Sequence, residues 1–162
     1  MSAEILVSLL KQKNLKISAA ESCTGGMLIS SLIGVSGASS VIDASFVTYS
    51  PEAKIEIVNV KKETIDEFGV VSENVALEMA KGALSVAGSD VGVGITGYAG
   101  PATDENDTTA GTVCFGFTVN GKTLTATKHF GDVGRNVVRE LSCMYAVDML
   151  IKLVKAFGDK ND

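Results

Sequence analysis

Apolar residues recur along this chain at two spacings, and the switches between them predict its elements. Ile5, Leu6, Leu9 and Leu10 fall at helical spacing after Ser2, which predicts an amphipathic helix to about Lys13. The run Leu15 to Ala20 is short and apolar, as in a buried strand, and Met27 to Ile33 returns to a helical pattern. Val35 to Ser40 is small and rich in glycine and serine, hence a turn. Val41 to Tyr49 contains Val41, Ile42, Phe46, Val47 and Thr48 and reads as a second strand. Ser50-Pro51 then supplies an N-cap and a proline at the first helical position, so Glu52 to Val58 should be a short helix. A further helix fits Glu63 to Phe68, stopped by Gly69. Ser72 opens a longer one that carries Val75, Met79, Ala83 and Val86 on one face and ends at Gly88.

The second half alternates differently. Asp90 to Thr96 reads as a buried strand whose glycines imply close packing or close approach to a ligand. Gly97 to Ala110 is a polar loop long enough to suggest function or mobility. Thr112 to Val119 and Lys122 to Phe130 flank Asn120-Gly121, the strongest hairpin signal in the chain. After a turn at Gly131 to Gly134, a long helix runs from Arg135 to about Phe157, with Val138, Leu141, Tyr145 and Leu153 as core candidates. Gly158 to Asp162 should fray. Helices alternating with strands, plus one hairpin, predict a three-layer α/β/α fold with a mixed sheet that includes one C-terminal β-hairpin.

Composition narrows the class. The 162 residues suit one domain spanning 1–162, and 46% apolar against 20% charged residues argues for a folded core. A net charge of −5 without a Lys/Arg-rich run speaks against nucleic acid as a partner. No apolar stretch is long enough to span a bilayer, so no membrane is expected. The N-terminus lacks a signal-peptide pattern. The odd cysteine count (Cys23, Cys114, Cys143) without a Cys-x-x-Cys pair fits reduced thiols, and the expected location is the cytoplasm. Cysteine and histidine are too few and too scattered for a metal cluster, and no cofactor is expected.

The stretch Ala20-Glu21-Ser22-Cys23-Thr24-Gly25-Gly26 carries the strongest chemical signal. A strand feeding such a turn into a helix aims backbone N–H groups at one point, where they could hold a phosphate or an oxyanion. Ser22 and Cys23 are both nucleophile candidates. The bland alternative is that Thr24 N-caps the helix and the glycines ease the turn. No P-loop and no G-x-S-x-G elbow is present, and the only histidine, His129, falls in a predicted hairpin strand.

A nucleophilic serine without histidine needs another base, and lysine is the recurring substitute. Lys54 falls in the first turn of the helix that Pro51 starts, where the dipole disfavours an ammonium and partial burial would lower its pKa. Tyr49, just ahead, could relay a proton. Arg135 and Arg139 stand one turn apart and could clamp a phosphate or a carboxylate, or be ordinary surface charges.

Taken together, A-E-S-C-T-G-G at 20–26, F-V-T-Y-S-P-E-A-K at 46–54, G-V-V-S-E at 69–73, I-T-G-Y-A-G-P at 95–101, G-T-V at 111–113 and the arginines after F-G-D resemble the C-terminal domain of the CinA family. The resemblance runs from roughly Leu6 to Ala156. It implies hydrolysis of the carboxamide of nicotinamide mononucleotide to nicotinate mononucleotide and ammonia, without metal or organic cofactor. It casts Ser22 as nucleophile, Lys54 as base and Tyr49 as its assistant. Thr24, Gly25 and Gly26 become an oxyanion or phosphate cradle, Thr96 and Gly97 pocket walls, and Arg135 and Arg139 anion contacts.

The chain departs from the family pattern at Tyr98, in the acidic, glycine-free loop Ala102 to Ala110, and in the lengthened turn Gly131 to Arg135. These departures bear on substrate specificity. Two rival readings stand beside the serine amidohydrolase: a non-catalytic nucleotide-binding or regulatory module of the same fold, and a thiol hydrolase using Cys23. The expected partner is a small nucleotide substrate, and a homo-oligomer such as a dimer is compatible with this reading.

Overall fold

A computed structural model of the chain describes residues 2–159. In chain order it forms α1 (Ser2–Gln12), β1 (Ile17–Glu21), α2 (Met27–Ile33), a 3-10 turn (Ala38–Ser40), β2 (Phe46–Val47), α3 (Pro51–Val58), α4 (Lys62–Phe68), α5 (Glu73–Ala87), β3 (Val91–Gly97), β4 (Thr112–Val119), β5 (Lys122–His129) and α6 (Arg135–Phe157). The sheet order is β2-β1-β3-β4-β5. β1 runs parallel to both β2 and β3, while β4 and β5 are antiparallel to their neighbours, so the sheet is mixed.

This order dictates the layers. The chain leaves β1 for β2 on one side and returns from β2 to β3 on the other. Right-handed crossovers in opposite directions place α2 on one face and α3 to α5 on the other. Accordingly α1, α2 and α6 cover Ile17, Ala19, Val93, Ile95, Phe115 and Phe117. On the opposite face Ala20 packs with Val58, Val75, Met79 and Ala83. The strand glycines serve helix packing: a Cβ at Gly94 would stand 2.0 Å from the Ala76 carbonyl oxygen, and one at Gly116 2.4 Å from it. α5 therefore lies directly on the sheet. The connections from β1 and β3 diverge, which opens a crevice beyond the carboxyl ends of these two strands, the usual ligand position in such sheets.

Three sequence expectations need correction. The strand foreseen over Val41 to Tyr49 shrinks to Phe46–Val47, with one isolated bridge from Ile42 to Ile17. Between them Asp43 turns out to pair with Lys16, and the Ser45 hydroxyl donates to the Ala19 carbonyl, so polar side chains replace the ladder. On α5 the buried face stops at Ala83; Val86, in the last turn, is 48% exposed. On α6 the buried stripe is Val138, Ser142, Cys143, Ala146, Val147, Leu150 and Val154, with Tyr145 and Leu153 only packed against its edge and Leu141 half-buried. Its small residues let α6 approach the neighbouring helices closely. Of the C-terminal stretch expected to fray, Gly158 donates its N–H to Val154 and Asp159 pairs with Lys13. Residues 160–162 lie outside the described residues.

Candidate active site

Ser22 is the first residue beyond β1, and the turn that holds it is organised by its neighbour. The Glu21 carboxylate is fully buried and accepts three backbone N–H bonds from the start of α2: Gly26 at 3.2 Å, Leu28 at 3.1 Å and Ile29 at 3.1 Å. These are donors that a helix start leaves unpaired, and the helix dipole favours a negative group there. Gly25 and Gly26 take φ of +58° and +95°, left-handed values that suit glycine. The Gly25 N–H donates to the Ser22 carbonyl at 3.0 Å, and the Met27 N–H to that of Thr24 at 3.0 Å.

The cradle foreseen at Thr24, Gly25 and Gly26 is thus largely filled from within. Among the described residues, only the N–H groups of Cys23 and Thr24 in this turn donate to no carbonyl or carboxylate. Nor does Thr24 cap the helix, since its Oγ1 is buried without a partner. Sequence reasoning missed Glu21, although an acid ending an apolar run just ahead of two glycines and a helix was a readable signal.

Lys54 arrives from α3. Ser50 caps this helix by accepting the Ala53 N–H at 3.0 Å, and Pro51 opens it. Lys54 then points inward and is fully buried. Its Nζ lies 3.1 Å from Ser22 Oγ, 2.8 Å from the Thr48 carbonyl and 3.2 Å from the Tyr49 carbonyl. An ammonium would donate to all three oxygens. A neutral amine keeps two N–H bonds on the carbonyls and turns its lone pair to the Ser22 hydroxyl. Burial pushes the Lys54 pKa down to about 8, so the neutral form is accessible near physiological pH. The Cys23 thiol is pushed up to about 11, first by burial and further by the charge of Glu21, so it is not a thiolate at neutral pH.

Beside this pair opens a cavity of about 470 Å³, walled by Ser22, Cys23, Tyr49, Thr96, Gly97, Tyr98 and the loop that follows, with Arg135 at its edge. Thr96 is anchored by donating its hydroxyl to the Val70 carbonyl at 3.0 Å. The two arginines part company. Arg135 donates to the Gly100 carbonyl at 2.8 Å and to the Tyr49 hydroxyl at 3.0 Å, and it borders the cavity. Arg139 is absent from the cavity wall and donates to the carbonyls of Cys23 at 2.9 Å and Thr24 at 3.3 Å.

A shared phosphate clamp is therefore not what the geometry presents. Tyr49 also differs from expectation: its main-chain carbonyl contacts Lys54, while its exposed phenol meets Arg135. In the acidic loop, Asp107 accepts N–H and O–H bonds from both Thr103 and Thr109, which hold its carboxyl down at about 2. His129 sits on the edge strand β5, its Nδ1 3.1 Å from Thr112 Oγ1, with β3 and β4 between it and β1. Among the described residues no cluster of His, Cys, Asp or Glu could hold a metal ion, and no helix is long and apolar enough to cross a membrane.

A buried serine–lysine pair beyond the parallel strands of a mixed sheet defines the structural class: an α/β protein with its site at the strand ends. Residues 1–154 match the CinA C-terminal domain model, and the chain belongs to that family. A CinA-like protein of Kosmotoga olearia is 44% identical over 147 residues, covering 91% of this chain and 35% of that protein. A putative competence-damage inducible protein of Clostridium botulinum is 40% identical over 152 residues, covering 94% and 37% respectively. The chain thus spans about a third of the length of these curated relatives. Among solved structures, the competence/damage inducible protein CihA of Agrobacterium tumefaciens superposes with a TM-score of 0.89 at 37% identity, covering 94% of this chain and 93% of that one. A CinA superfamily protein of Klebsiella pneumoniae gives a TM-score of 0.90 at 32% identity, with 96% of each chain covered.

Proposed function

We propose that the chain is an amidohydrolase that cleaves the carboxamide of nicotinamide mononucleotide, with Ser22 as nucleophile and Lys54 as its base. One observation carries the reading: a fully buried lysine amine, its pKa lowered to about 8, stands 3.1 Å from a serine hydroxyl at the wall of a cavity. An amide is a weak electrophile with a poor leaving group. It needs an activated nucleophile, a stabilised oxyanion and a proton for the departing nitrogen. Ser22 Oγ attacks the carboxamide carbon while its proton passes to Lys54 Nζ. The ammonium so formed returns that proton to the leaving nitrogen, the C–N bond breaks, and ammonia departs from an acyl ester on Ser22. Water then attacks the ester with Lys54 again taking the proton. The carboxylate leaves and Ser22 regains its hydroxyl.

Arg135, at the cavity edge with N–H groups beyond those used for Gly100 and Tyr49, suits the substrate phosphate. Asp107 is saturated by its own loop, so its charge shapes the wall without demanding a partner. The test is release of ammonia and nicotinate mononucleotide from nicotinamide mononucleotide by the purified protein, lost in Ser22→Ala. Binding of the nucleotide without ammonia release by the folded protein would refute the reading in favour of a nucleotide-binding module.

A further inference from the structure

We infer that Arg139 is a positioning residue that sets the oxyanion site, and that this site is the backbone of Cys23 and Thr24. The inference rests on the serine–lysine reading above and adds to it a residue that never touches substrate. The turn after Ser22 is gripped from two sides by charges of opposite sign. Glu21 takes the N–H groups of Gly26, Leu28 and Ile29. Arg139, reaching across from α6, takes the carbonyls of Cys23 and Thr24 and braces its own guanidinium on Asn136 at 3.0 Å. Each charge meets the backbone pole it attracts, and between them they consume most of the turn's polar groups.

What remains is informative. The Cys23–Thr24 peptide is trans, because the only cis bond among the described residues precedes Pro101. In a trans peptide the C=O and N–H point in opposite directions. With the Cys23 carbonyl tied to Arg139, the Thr24 N–H is aimed away from α6. Together with the Cys23 N–H it is the donor in this turn not already committed to a carbonyl or carboxylate among the described residues. A donor held in place by the fold before the reaction stabilises the developing oxyanion without reorganising, and that is where its effect on rate arises. Cys23 itself lines the cavity beside Ser22, which puts this backbone next to the attacked carbon.

The test compares Arg139→Met and Arg139→Lys with the unaltered chain, each confirmed folded by its thermal transition. Two readouts are used: steady-state hydrolysis of nicotinamide mononucleotide and nicotinamide riboside, and the rate at which a phosphate-free alkyl fluorophosphonate labels Ser22. In the labelling step Ser22 Oγ bonds to phosphorus, fluoride leaves, and the serine proton goes to Lys54, while the phosphoryl oxygen uses the oxyanion site. Arg139→Met should lower kcat at least tenfold on both substrates with KM little changed, and slow labelling to a similar extent. Arg139→Lys, which can hold one carbonyl, should recover part of both. Labelling at the unaltered rate in folded Arg139→Met overturns the inference. So does a loss confined to KM for the phosphate-bearing substrate, which would make Arg139 a phosphate contact. Labelled Ser22 without ammonia release refutes the proposed reaction alone, and the labelling rates still decide on Arg139. Failure of the unaltered chain to label at Ser22 overturns both.

Discussion

The floor of the cavity and its rim are built on opposite principles. At the floor, Ser22 lines the cavity with Glu21, Thr24 and Lys54 buried behind it, and Glu21 and Lys54 each have three short contacts to backbone or to Ser22. At the rim, Tyr49 is 62% and Tyr98 46% exposed, Arg135 is exposed and Asp107 is half-buried. Groups that must change protonation or direct a bond-forming step gain from a low dielectric, where shifts of pKa are large and dipoles act strongly. Groups that select a ligand need only reach it. The floor should thus tolerate almost no change, whereas the rim should tune specificity in modest steps.

The largest expected effects come from the floor. Ser22→Ala and Lys54→Arg should each lower turnover by about a thousandfold or more with the fold retained, because the proposed nucleophile or the proposed base is gone. Steady-state ammonia release checks this, and near-normal activity in Lys54→Arg would break the distinction between floor and rim. Cys23→Ser, by contrast, should keep most activity, since a thiol held up at about 11 is not the attacking group.

Stability gives the next effect, with a sign fixed by pH. The folded Lys54 value of about 8 lies below the ordinary 10.5, so between these values the unfolded chain binds the proton more tightly. Folding stability contributed by this group is present above pH 10.5 and is lost as pH falls through about 8. Lys54→Met should therefore gain about 1–3 kcal/mol at neutral pH, less whatever the freed Thr48 and Tyr49 carbonyls cost, with the advantage vanishing above pH 10.5. Denaturant unfolding at several pH values measures it. Glu21→Gln tests the same floor from the other charge and should destabilise by about 2–3 kcal/mol, because an amide cannot accept at both of its ends.

The rim should respond less. Arg135→Gln should weaken catalytic efficiency on nicotinamide mononucleotide by a factor of about ten, with nicotinamide riboside almost unaffected, as expected for a lost charge-assisted contact. Equal losses on both compounds would move Arg135 out of the phosphate role. The smallest effect belongs to Asp107→Asn, which loosens the 103–109 turn: a change of a few-fold in KM, with global stability within about 0.5 kcal/mol.

The elements were largely legible because each ended on local chemistry: Ser50-Pro51 at α3, Ser72 and Gly88 around α5, and Asn120-Gly121 between β4 and β5. The second strand was not, because side chains from Asp43 and Ser45 replace its ladder and only the tertiary contacts reveal this. Ser22 and Lys54 stood out as residue types. Their meeting across 32 positions depended on β1 and β2 lying side by side. The roles of Arg135 and Arg139 could not be separated from spacing alone. One helical turn between them places one at the cavity edge and the other on the Cys23 and Thr24 carbonyls, a difference set by where α6 crosses the turn. Glu21 carried a readable signal, an acid ending an apolar run ahead of two glycines and a helix, but its service to three N–H donors shows only in the fold.

The central claim is that the lysine facing Ser22 gives up its proton far more readily than an ordinary lysine, which lets it serve as the base. Titrating the Lys54 side-chain nitrogen directly, by NMR of the chain carrying isotope-labelled lysine and assigned with Lys54→Arg, tests it without reference to any substrate. The expected midpoint is about 8. A midpoint at the ordinary lysine value of 10.5 would leave Lys54 a permanent ammonium at neutral pH and contradict its role as the base.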